Sequence, residues 1–331
     1  MNMSVRDVII IGAGPSGLSA AIAAKRRDLD YQVLEQGVLV NSIYRFPPQM
    51  VFFTTPELLE IGGLPFVSPY DKPTRAEALK YYRKVVDTYD LQIAFEEKVL
   101  SVEREDGIFA IETESAKGVR RARHARHVVM AIGYYDHPVM IGVPGEDLPH
   151  VHHYYGEPHP HYRQRVVIVG GGNSAAESAL EMFRAGAHVT IVHRAPALKS
   201  TIKYWVRPDI ENRITEGSIA ARFSTCVTEI RPSSVIIRSG GARGSGGEEE
   251  LPADAVYLLT GYRADAELLR HAGVRLNERD APVHDPETFE TNVPGLFVAG
   301  GAIAGVDTGT IFIENGRFHG EKIIEVIAGR E

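Results

Sequence analysis

The sequence predicts an α/β protein made of two Rossmann-like dinucleotide-binding domains, the second inserted in the first. A glycine-bearing strand-turn-helix-strand plan occurs twice, at Asp7 to Gln36 and at Arg165 to Arg194, and a third strand-glycine-helix passage closes the chain from Gly295. A repeated plan settles architecture before finer reading. The 331 residues are 44% hydrophobic, which is enough for two domains with separate cores. The expected division gives residues 1–137 and 264–331 to one domain and 138–263 to the other.

Composition excludes several function classes. A net charge of -7 offers no broad positive field for nucleic acid or an anionic membrane. No apolar run of about 18 residues is present, and the N-terminus passes into a strand-like run with no signal pattern. A cytoplasmic protein without nucleic-acid or membrane partners is expected. The single cysteine, Cys226, rules out a disulfide framework, a Cys-x-x-Cys redox pair and a multi-thiolate metal site.

In the first unit, DVIIIGAGPSG places Gly12, Gly14 and Gly17 between an apolar strand and an Ala-rich helix. Glycines at this spacing permit a tight turn, close approach to a pyrophosphate and close helix-strand packing. The helix start adds N–H groups and a positive dipole end. Glu35 ends the next strand, where a carboxylate accepts hydrogen bonds from a ribose. Ser16 is expected to cap the helix or touch pyrophosphate through its hydroxyl.

The second unit carries Gly170, Gly172 and Ala175, and its closing strand runs into His193 and Arg194, with Lys199 following. Cations there attract a 2'-phosphate that a carboxylate would repel. The contrast assigns NADPH to the second unit and a dinucleotide without that phosphate, NAD or FAD, to the first. Hydride from NADPH needs an acceptor, which favours FAD. GLFVAGG should end a strand at Gly300 and Gly301, and a helix from Thr310 to Ile327 should aim its positive end at the flavin.

Other stretches read as structural. SVIIRSGGARGSGGEEELPADAVYLL should form two strands around a mobile tip, and the histidines at 150, 152, 153, 159 and 161 a solvated linker without metal. RRARHARH, Arg120 to His127, reads as an exposed strand approach, and Cys226 as a buried, inert strand residue.

Over nearly its whole length the chain resembles the two-dinucleotide flavoproteins of the low-molecular-weight thioredoxin reductase type, and within them the YpdA-type bacillithiol disulfide reductases. The likeness is carried by Asn41 to Arg83, by VPGEDLP (Val143 to Pro149), by GGGNSAAESALEMFRAGAHVTIVHR and by IFIENGRFHG (Ile311 to Gly320). Thioredoxin reductases carry Cys-x-x-Cys before the second glycine motif, where this chain reads HVHHYYGEPHPHYRQR. Ala195 also stands where they often have a second Arg. Family members that reduce bacillithiol disulfide carry Cys at the position of Ser16, the position expected to be catalytic, and serine has no thiolate to relay electrons.

The resemblance implies a homodimer and the disulfide of a low-molecular-weight thiol as substrate. It implies an FAD site of Gly12, Gly14, Pro15, Ser16, Gly17, Glu35, Gln36, Asn41, Tyr44, Val99, Ala131, Gly133, Gly300, Gly301, Thr310 and Ile311. The NADPH site would be Gly170, Gly172, Asn173, Ser174, Ala175, His193, Arg194, Lys199 and Gly261. Two other readings stay open: a flavin monooxygenase or NADPH oxidase, and a reductase of a ferredoxin- or flavodoxin-type protein docked on Arg120 to His127.

Overall fold

The computed structural model describes residues 5–240 and 246–330. The chain forms two units, Met1–His137 with Tyr262–Glu331, and Pro138–Gly261 between them in sequence. The return begins at Tyr262, slightly ahead of residue 264.

The first unit is built on a seven-stranded sheet ordered Ile93–Ala94, Tyr31–Leu34, Val5–Ile11, Arg120–Met130, Ile108–Ser115, Glu97–Glu105, with Leu296–Val298 also pairing Arg120–Met130. Val5–Ile11 runs parallel to both neighbours, Ile9 lying opposite Gln32 and Val128. Val8, Ile9 and Ile10 are fully buried, because a parallel strand is covered on both faces and reads as a continuous apolar run. On one face lies the helix Pro15–Lys25, itself buried along Leu18, Ala20, Ala21 and Ala24. Its outer side is covered by the C-terminal helix His319–Ala328 through Ile323, Ile324 and Ile327.

Small residues let these two helices meet. A Cβ on Gly320 would lie 2.4 Å from the Ala20 nitrogen and 2.5 Å from the Ser16 carbonyl oxygen. Gly320→Val is therefore expected to force the helices apart and to destabilise the protein by about 2–3 kcal/mol, read as a lower urea midpoint.

The expected helix from Thr310 to Ile327 divides into Ile313–Gly316 and His319–Ala328. It starts late because Asn315 occupies the backbone before it: Asn315 Oδ1 accepts the Phe312 N–H at 2.8 Å and its Nδ2 donates to the Thr310 carbonyl at 2.9 Å. Side-chain bonds of this kind offer the backbone an alternative to helix.

The basic strand is not a free patch. Arg120 pairs with Glu114, Arg121 and Arg123 with the buried Glu97, and Arg126 with Asp7. Burial pushes the Glu97 carboxyl up, but hydrogen bonds from Arg123 and Thr113 outweigh it and hold the group below its ordinary range.

The second unit has a five-stranded parallel sheet ordered Ala220–Arg222, His188–Val192, Arg165–Val169, Ala255–Leu258, Val151–His152. A three-stranded antiparallel sheet, Thr225–Arg231, Ser234–Ser239 and Glu248–Pro252, stands beside it. The expected hairpin strands form, while residues 241–245 of the tip lie outside the described residues. Cys226 sits on a strand as expected but is half-buried rather than buried. His161 departs from the solvated linker: it is buried, with Nε2 2.7 Å from the Tyr257 hydroxyl and Nδ1 2.8 Å from Gln164 Oε1. Among the described residues no cluster suits a metal ion, and no helix is long and apolar enough to cross a membrane.

Candidate functional site

The first glycine turn is shaped by close approach. Gly12 has φ +108°, a conformation that side chains resist, and a Cβ there would lie 2.4 Å from the Ala131 carbonyl oxygen. A Cβ on Gly17 would lie 2.0 Å from the Gly12 carbonyl oxygen. At Gly14, in contrast, a Cβ would meet nothing within 4 Å. The helix starts from Gly14 with Pro15 in its first turn and no side-chain cap. Its first N–H groups are left for an anion, and the open side of Gly14 is where one fits.

Ser16 does not cap this helix. Its hydroxyl crosses to the C-terminal segment and donates to the Gly316 carbonyl at 2.9 Å. Gly300 and Gly301 come to the same place: a Cβ on Gly300 would lie 2.3 Å from Ser16 Oγ, and one on Gly301 2.6 Å from the Tyr134 ring and 3.5 Å from Gly133. Residues from three separate stretches of the chain thus meet beyond the C-terminal ends of the strands Val5–Ile11, Arg120–Met130 and Leu296–Val298.

Glu35 is buried, with Oε2 accepting the Ala13 N–H and Oε1 the Gly37 N–H, each at 2.8 Å. Burial pushes its carboxyl above the ordinary range, against the pull of those two N–H groups and with the help of the Asp136 charge. Gln36 and Asn41 both turn to Asp136, donating at 3.1 Å, and Arg45 pairs with it at 2.9 Å. Asp136 was not among the expected site residues, although a carboxylate closing AIGYYD is a visible signal.

The remaining expected residues are more dispersed. Tyr44 is exposed beneath the Arg75 guanidinium, and the Thr310 hydroxyl donates to the Asp307 carbonyl. The Val99 side chain is buried in the core beside Val102 and Ile111. Ile311 precedes the short helix rather than lying in it.

The second turn repeats the geometry. A Cβ on Gly170 would lie 2.6 Å from the Leu259 carbonyl oxygen, and one on Gly171 2.4 Å from His193 Nε2. Ala175 is fully buried, and Gly172 opens the helix Asn173–Arg184 without a side-chain cap. Asn173 Oδ1 accepts the Lys203 N–H at 2.9 Å, and Lys199 N donates to the Gly171 carbonyl at 2.8 Å, tying the following loop to the turn. The Ser174 carbonyl accepts the Ser178 hydroxyl. Gly261, at φ +111°, closes this unit and accepts the Val139 N–H at 2.9 Å.

The charges at this turn differ from those at the first. Arg194 and Lys199 are exposed, and among the described residues neither side chain forms an ion pair. His193 is buried between them and the turn, and burial, then the Lys199 and Arg194 charges, push its imidazole below the ordinary range.

Residues 9–300 match the family model described as Pyridine nucleotide-disulphide oxidoreductase. The chain is 42% identical to the bacilliredoxin reductase Bdr of Bacillus subtilis, over 99% of each chain. It belongs to the Bdr (YpdA) branch of that family. The bacillithiol disulfide reductase Bdr (YpdA) of Bacillus cereus superposes with a TM-score of 0.95 at 38% identity, covering 99% of this chain and 100% of that one. Thioredoxin reductase of T. acidophilum, 24% identical over 98% of both chains with a TM-score of 0.75, shares the fold. Membership makes the chain an oxidoreductase and implies a flavin and a pyridine nucleotide. This Bdr-branch chain also lacks the paired thiols of a Cys-x-x-Cys, since Cys226 is its one cysteine.

Proposed function

We propose that the enzyme oxidises NADPH and reduces a low-molecular-weight disulfide of the bacillithiol type, with FAD held by the first unit and NADPH by the second. The observation that carries this reading is the contrast between the two strand ends: a buried carboxylate, Glu35, at one, and at the other the exposed cations Arg194 and Lys199, neither ion-paired among the described residues. The first suits a ribose and the second a 2'-phosphate.

A flavin bound there would supply the two-electron chemistry that links nicotinamide oxidation to opening of the disulfide. With one further proton, NADPH and the disulfide leave as NADP+ and two thiols. Gly12, Gly14, Pro15 and Gly17 hold the FAD pyrophosphate at the uncapped helix start, and Glu35 orients its ribose. Gln36, Asn41 and Tyr44 would border that pocket, and Ala131, Gly133, Gly300 and Gly301 would bring backbone against the ring, with Thr310 and Ile311 at its margins; Val99 would contribute only on the Glu35 side, where its strand begins with the Glu97 N–H donating to the Glu35 carbonyl. On the NADPH side Gly170, Gly172, Asn173, Ser174 and Ala175 form the phosphate turn, His193, Arg194 and Lys199 the adenosine end, and Gly261 the boundary. Ser16 holds Gly316 and passes no electrons, so the electron pair reaches the disulfide without an enzyme thiol. The working form is a homodimer, as the resemblance implies.

The test is NADPH oxidation by the yellow protein with bacillithiol disulfide, cystine, a ferredoxin and oxygen as alternative acceptors. Acceleration by the low-molecular-weight disulfide, with Ser16→Ala keeping most of the rate, is expected. No acceleration by either small disulfide would remove that substrate class. A ferredoxin acceptor has less support, because the cations of Arg120 to Arg126 that would dock it are engaged with carboxylates of their own unit.

A further inference from the structure

The geometry points to His319 as a positioning residue that fixes the Gly300 turn beside the flavin by accepting its backbone N–H. This rests on the flavin reading above. Gly300 lies just beyond the strand Leu296–Val298 and opens the short 3-10 helix Gly300–Ala304 with φ +61°, a conformation that glycine adopts most easily. Its N–H points away from the sheet ladder and donates to His319 Nδ1 at 3.1 Å. The acceptor nitrogen must carry a lone pair, so the ring is neutral with its proton on Nε2.

The surroundings keep the ring in that state. The imidazole stacks on Phe289 at 4.3 Å between centroids and 25° between planes, and Phe289 in turn stacks on His284. Burial first, then the His284 and Lys322 charges, pull the His319 pKa down to about 4. The ring is therefore neutral near pH 7 and free to accept, and its orientation is set by the stacked Phe289 face.

The position of this bond gives it consequence. Gly300 stands against Ser16, and Ser16 donates to Gly316, on the same C-terminal segment that carries His319. Two hydrogen bonds, Ser16 to Gly316 and Gly300 to His319, thus join the first glycine turn and the Gly300 turn through one strap. Without the second, the Gly300 amide has no protein acceptor, and the backbone facing the ring loses its fixed direction.

The experiment compares His319→Phe, which keeps the stack on Phe289 but has no acceptor, with His319→Asn, whose Oδ1 replaces Nδ1 as acceptor but which has no ring. FAD affinity of the apoprotein, the flavin reduction potential and the urea midpoint are measured for each. We expect His319→Phe to weaken FAD binding roughly three- to tenfold and to shift the potential, with His319→Asn close to the parent in both, whatever the order of their urea midpoints. Equal behaviour of the two variants toward FAD, or an unchanged affinity and potential in His319→Phe, would overturn the role of His319. A parent protein that binds no FAD would overturn the flavin reading instead.

Discussion

Gly17→Val should purify without colour. The glycine has no room for a side chain: a Cβ would fall 2.0 Å from the Gly12 carbonyl oxygen, 3.1 Å from its carbon and 3.4 Å from the Ala131 Cβ. Two of those atoms are backbone, so relief requires the helix Pro15–Lys25 to retreat from the strand Val5–Ile11. Its N–H groups would move with it, out of reach of the phosphates that Gly12 and Gly14 admit. Loss of that interaction should weaken FAD binding by roughly a hundredfold or more, seen as a missing flavin absorbance and failure of added FAD to restore it. Retention of stoichiometric flavin in Gly17→Val would show that this turn is not the FAD cradle.

The double change Arg194→Glu with Lys199→Glu should reverse the nucleotide preference. Both cations are exposed and unpaired among the described residues, so their removal leaves no buried carboxylate stranded. Each charge-assisted hydrogen bond to a phosphate contributes about 1.5–3 kcal/mol, so loss of both makes the expected drop in kcat/KM for NADPH roughly a hundredfold to ten-thousandfold. NADH lacks the phosphate and should change little. The KM for NADPH should carry the effect while flavin content and kcat at saturation hold. Parallel losses with both nucleotides would place the 2'-phosphate elsewhere.

What could be read from the sequence was what depends on neighbours in the chain. Gly12, Gly14 and Gly17 announce themselves because the turn, the helix start and the strand all lie within a few residues, and the same holds for Gly170, Gly172 and Ala175. Glu35 was legible because strand length sets where the carboxylate falls. Asp136 stood in view as a carboxylate closing AIGYYD, but its role did not, since its partners Gln36 and Arg45 lie 100 and 91 residues away along the chain. His319 was hidden for the same reason: nothing near it in sequence says that a glycine amide needs its nitrogen. The run RRARHARH reads as an exposed strand approach and lies on a strand whose first residues are exposed, but its ion pairs were not legible, because its counter-charges, Asp7, Glu97 and Glu114, come from other strands. His161 looked solvated among polar neighbours, yet Tyr257 draws it inside. In each case a tertiary partner overrode a local impression.

The bond from Ser16 to Gly316 spans 300 residues, and this sets the order in which the protein can be finished as it is made. At roughly 5–20 residues per second, a ribosome that has released Ser16 needs about 15–60 s more to reach its partner. The segment Pro138–Gly261 is continuous and complete well before then, so the inserted unit can fold while the outer one waits. The first glycine turn, though among the first residues synthesised, acquires its final wall last. A chain halted before Gly316 would emerge with its second unit whole and its first turn open on one side, its apolar helix Pro15–Lys25 lacking the cover of His319–Ala328.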